Sequence, residues 1–95
     1  MSFIEILDRI KKKDVDALKV KRMLEEYERF SVFANDYIGK YDIATLILFY
    51  YFPQKDELHE DIDALIGFYI ETTERMSMED KRRFIDLIYD YIDHK

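Results

Sequence analysis

Only one proline and two glycines interrupt the 95 residues of this chain. Proline and glycine are the residues a helix interior tolerates least, so few internal stops exist and helical segments with short joints are the expected outcome. The same chain carries eight Tyr and seven Phe, with no Cys and no Trp. A chain this short buries only about 60–65% of its unfolded surface. That many rings exceed what its core consumes, so apolar surface is expected to remain for a partner.

Five helical segments can be read. The first opens with Ser2-Phe3-Ile4-Glu5, a capping-box spacing in which each side chain satisfies an orphan amide of the first turn. Phe3, Ile6, Leu7 and Ile10 form its apolar stripe, and Lys11, Lys12 and Lys13 suit the negative end of the helix dipole. Asp14 reads as the N-cap of a longer second helix with a stripe at Val20, Met23, Leu24, Tyr27, Phe30, Ala34 and Tyr37. Gly39 reads as its C-cap, with a break near Asn35. The third segment runs from Ile43 through Phe52 until Pro53 stops it. It is apolar on every side and would also suit a buried strand, but no second strand exists to pair with it, so a central helix is expected.

The fourth helix shows a heptad-like seam at Leu58, Ile62, Leu65, Tyr69, Thr72 and Met76, widened by Ile66 and Ile70. The fifth opens with Ser77-Met78-Glu79-Asp80, again at capping-box spacing, and carries Phe84, Ile85, Leu87, Ile88, Tyr91 and Ile92. The joint between these two is short, which predicts an antiparallel hairpin. The chain thus reads as all-α, a compact bundle of about five helices in a single domain over residues 1–95.

The stretch Leu46-Ile47, Tyr50-Tyr51 and Pro53, followed by acids, resembles the helix-III region of four-helix bacteriocin immunity proteins. The resemblance covers under a tenth of the chain, and no residue role is carried over from it.

Charge is unevenly spread. The formal net charge of −6 divides into +1 over residues 1–31 and −7 over residues 32–95. The acidic part argues against a nucleic-acid footprint over the whole surface and could steer the chain toward a protein partner with a basic surface. No apolar run approaches the roughly 18 residues a membrane span needs. The N-terminal residues lack the basic and apolar regions of a secretory signal, and the absence of Cys removes disulfide and thiolate chemistry. A cytoplasmic protein is the expectation. One Asn and one Gln beside many opposed charges follow the compositional trend of thermophile proteins, and the size suits an accessory gene of a virus or mobile element.

Chemistry-bearing motifs are scarce. Asp56, His59 and Asp63 share one face of the fourth helix at metal-ligand spacing, but no second segment supplies further ligands, so an acidic first turn complementing the helix dipole is the simpler reading. No Gly-rich phosphate loop and no His-Glu-x-x-His spacing occurs. A non-enzymatic protein without cofactor or metal is expected. Tyrosine adds contact area at low entropic cost and is enriched at interface hot spots. The candidate partner-binding residues are Phe33, Tyr37, Tyr41, Tyr50 and Tyr51, with the acids Asp56, Glu57, Glu60 and Asp61. Phe30 and Phe49 lie on the same stretches. Self-association is expected. The alternative is a dimeric nucleic-acid-binding regulator using Lys11, Lys12, Lys13, Lys19 and Arg22, although Asp14, Asp16, Glu25, Glu26 and Glu28 interleave with these bases.

Overall fold

Apolar residues at steps of three and four commit four segments to helix, and an all-round apolar run forms a fifth, in the computed structural model, which describes residues 1–34 and 37–94. They are α1 (Phe3–Lys12), α2 (Ala17–Ala34), α3 (Lys40–Tyr51), α4 (Glu57–Thr73) and α5 (Met78–Asp93). The all-α bundle expected from the sequence is therefore the fold, and among the described residues there is no strand. None of these helices is long and apolar enough to cross a membrane.

Local capping sets most of the boundaries. Ser2 and Glu5 form the reciprocal capping box of α1. Ser77 accepts the Asp80 N–H at 3.2 Å, while the shorter Asp80 side chain lies toward Arg83 at 4.0 Å. Two cap assignments are corrected. Asp14 does not start α2: it follows the C-cap of α1 at φ 54°, in the left-handed region that Asp tolerates better than most residues. The cap of α2 is Asp16, whose carboxylate accepts the Leu18 N–H at 3.0 Å. Gly39 is likewise the N-cap of α3 and not the end of α2. The break expected near Asn35 lies outside the described residues.

The principal helix–helix contacts close a ring in the order α1–α4–α3–α2–α5 and back to α1. Ile10, Val20, Met23, Leu24, Leu48, Ile62, Leu65, Ile88 and Ile92 are buried inside it. The four residues after α4 turn the chain back into α5, and near this joint the rings of Tyr69 and Phe84 stack at 6.0 Å. Helix α1 enters the opening of that hairpin. Phe3 packs between Phe68 at 6.1 Å and Phe84 at 5.6 Å, so the two helices are joined at the turn and held through α1 beyond it.

Two buried carboxylates tie the ring together. Glu28 on α2, 5% exposed, accepts the Tyr69 hydroxyl of α4 at 2.8 Å and the Lys81 ammonium of α5 at 3.2 Å. Asp61 on α4, 3% exposed, pairs with Arg9 at 3.2 Å and with Lys13, both from the α1 end. A buried carboxylate is tolerated only when paired and hydrogen-bonded, and both are. Asp61 is thus corrected from a partner-binding acid to an internal tie.

Replacing Glu28 with Ala strands a buried tyrosine hydroxyl and should cost about 2–3 kcal/mol, with Glu28→Gln losing less; chemical denaturation checks both. Burial, reinforced by the charge of Glu28, pushes the Tyr27 hydroxyl up to about 12 from an ordinary 10.0. Burial first, and then the bond to Glu28, also raises Tyr69. The fold favours the protonated phenols, so their contribution is complete below pH 10 and is lost as pH climbs toward about 12. Phenolate absorbance from these two rings should therefore appear together with loss of helicity in an alkaline titration.

Candidate functional site

The α3 segment is apolar all round, and the ring covers only one side of it. Ile43, Ala44, Ile47 and Leu48 face the core, at the spacing of one helical face. Leu46, Phe49 and Tyr50 point outward, with Leu46 64% and Tyr50 78% exposed. The expected central helix is therefore a peripheral one, half buried and half open. On α2, Met23 is buried, whereas Phe30, two turns further along the same side, is half exposed. Phe30 and Tyr37, placed both on the α2 stripe and among the candidate surface residues, are surface, and the stripe positions Thr72 and Leu87 are likewise corrected to exposed.

Phe30, Leu46 and Tyr50 line an open groove of about 580 Å³ between α2 and α3. Ala34, Ile43 and Ile47 lie toward its floor, and Phe30, Ile38, Leu46 and Tyr50 form its sides. Two charges line it, Glu26 and Arg29. Tyr51, beside Tyr50 with ring centroids at 5.1 Å, is half-buried. Its hydroxyl is raised to about 12 by burial and by a hydrogen bond to Glu26. Arg29 makes no ion pair with any described residue. A second groove, about 440 Å³, runs along the α5 side of α2 and is lined by Phe33, Met78 and several charges. Two of its ion pairs, Lys81–Glu28 at 3.2 Å and Lys21–Asp86 at 3.0 Å, are already closed.

The residues expected from the sequence divide between these places. Phe33, 80% exposed, lines the second groove, and Tyr37, 91% exposed, lies between α2 and α3. Tyr41 donates to Glu71 of α4 at 3.3 Å; burial, and then the carboxylate of Glu71, raises its hydroxyl. Lys40 pairs with Glu74 at 3.0 Å in the same corner and lowers that carboxyl. Asp56, Glu57 and Glu60 are exposed at the start of α4 but do not line the apolar groove. Aromatic and acidic surface, expected together, are thus separate. Leu46 was missed because an all-round apolar segment carries no periodicity to mark its open face, and Ile38 and the pair Glu26–Arg29 because only the approach of α3 to α2 makes them line a groove.

Three of the five basic candidates have internal roles. Lys13 binds Asp61 and approaches Glu57 at 3.8 Å. Lys11 lies over the Tyr91 ring at 5.0 Å and Lys19 over Phe52 at 4.9 Å, cation–π contacts that draw charge onto the protein itself. Lys12 and Arg22 are exposed. In the candidate metal cluster, Asp56 accepts the His59 backbone N–H at 3.0 Å as the cap of α4. His59 is buried against the Phe49 ring at 5.2 Å, with Nε2 unpartnered, and Asp63 is exposed. Among the described residues no three His, Cys, Asp or Glu are placed to hold a metal ion.

Compared with models of known protein families, with curated proteins and with solved structures, the chain matches none.

If the outward side of α3 is surface and not core, Leu46→Ser should change stability by no more than about 0.5 kcal/mol. Ile47→Ala, one residue on, should cost about 2–5 kcal/mol. Thermal melts of the two variants decide this.

Proposed function

We propose that this chain is a small non-enzymatic protein-interaction module that binds a protein partner through the open face of α2 and α3. The observation that supports this is the groove itself. Phe30, Ile38, Leu46 and Tyr50 stand around an apolar floor with their side chains in water. Leaving that much apolar surface exposed forgoes burial worth about 25 cal/mol for each Å², and large exposed apolar patches mark binding surfaces. Tyr and Phe are also the side chains enriched in interface cores.

The exposed acids at the start of α4, Asp56, Glu57 and Glu60, bias the approach of partners toward those with basic surface, as an adaptor, inhibitor or assembly subunit would use. The nucleic-acid reading loses support from the engagement of Lys11, Lys13 and Lys19 within the bundle.

A photo-crosslinking side chain at position 50 tests the reading in cells that express the chain, with the same group at the exposed position 87 as control. Covalent protein adducts formed at position 50 and absent at 87 are expected. No adduct at 50, or equal adducts at both, rejects the face.

A further inference from the structure

The apolar groove also carries information about its occupant. Counting about 200 Å² for a ring side chain, the open fractions of Phe30 and Tyr50, the two rings that line the groove, amount to roughly 260 Å². Leu46 and Ile38 add to this, bringing the sides of the groove to about half of the roughly 800 Å² that each partner contributes to a standard interface. The area available is that of a small interface, of the size used in weak association.

Charge narrows the choice. Over the chain as a whole the net charge is −6, so two copies repel when they meet at random. The groove is the exception, because it carries one carboxylate and one guanidinium, Glu26 and Arg29, beside its apolar sides. Arg29 has no internal ion-pair partner among the described residues. Glu26 accepts from Tyr51, and a carboxylate has further lone pairs to offer. A two-fold interface uses the same patch on both subunits and so must be self-complementary. A neutral apolar patch bearing one charge of each sign, one turn apart, meets that condition, whereas a partner with a strongly basic surface would also meet the like charge of Arg29 there.

We propose that a second copy of the same chain occupies this groove, docked about a two-fold axis that sets Arg29 of each protomer against the partner's Glu26. The proposal rests on the reading of the α2–α3 face as a protein-binding surface. The sides of one groove, above all Phe30 and Tyr50, bury against those of the other. The two ion pairs at the margin fix the register.

Sedimentation analysis over a wide concentration range tests this with the wild-type chain, Leu46→Glu, Glu26→Arg, Arg29→Glu, and an equimolar mixture of the last two, with helicity followed by circular dichroism. The wild type should dimerise, and Leu46→Glu should be monomeric at unchanged helicity. Each charge variant alone places like charges across the axis and should dimerise about tenfold or more weakly. The mixture should recover dimer, because one protomer then brings two positive charges to the two negative charges of the other. A wild type that stays monomeric at its highest soluble concentration overturns the proposal. So does a Leu46→Glu variant that dimerises like wild type, or a mixture no tighter than its components. If a charge variant loses helicity, the Leu46→Glu result still decides. A monomeric wild type whose position-50 adduct has the mass of a different protein leaves the interaction reading standing and removes the second copy. A monomeric wild type with no adduct removes both.

Discussion

Glu28 is the point on which the arrangement of α2 depends. Its carboxylate is buried in the bundle and held by a hydroxyl from α4 and an ammonium from α5. Removing either partner leaves charge or polarity unsatisfied in a dry interior, a cost of several kcal/mol. Helix α2 is therefore locked in rotation about its own axis. Phe30 lies two residues on, about 200° around the helix, and so falls on the side away from α4 and α5, next to α3. Val32 and Phe33 instead line the groove on the α5 side, beside Glu28. The tie that closes the bundle on one side of α2 thus aims Phe30 toward solvent on the other.

Carboxylates and tyrosines are matched through much of the molecule. Tyr69 donates to Glu28, Tyr91 to Asp8, Tyr41 to Glu71 and Tyr51 to Glu26. Each pair joins two different helices. A half-buried phenol needs an acceptor, and a carboxylate is the strongest one a side chain offers. Part of the acid excess is therefore internal structure. The lysines that pair with acids or lie on ring faces complete the pattern, which explains why a sequence with a basic first third presents so little free positive charge there.

The groove between α2 and α3 keeps only one of these internal ties, that between Tyr51 and Glu26. It is bounded by apolar side chains, and its two charges are not joined to each other. The rest of the bundle reaches closure without it: each helix makes its principal contacts with two neighbours around the ring, and the core is complete inside. The open face of α3 is consequently surplus to folding, and what it can bind is decided by its own shape and its two charges.

Helix number, the caps at Ser2, Asp56 and Ser77, and most of the core on α1, α4 and α5 were legible in the sequence, because they rest on local spacing and on hydrogen bonds spanning three residues. The caps of α2 and α3 were not: Asp14 and Asp16 are both competent N-caps, and only the left-handed turn after α1 chooses between them. Asp61 looked like surface because its partners Arg9 and Lys13 come from about fifty residues away in sequence. For α3, neighbouring residues are equally apolar, so no period separates the buried Ile47 from the open Leu46. The sequence by itself determined that five helices would form and that rings would be in excess. Which rings remain outside was decided by the tertiary structure, because exposure depends on where α2 and α4 lie against α3, and no local pattern records that.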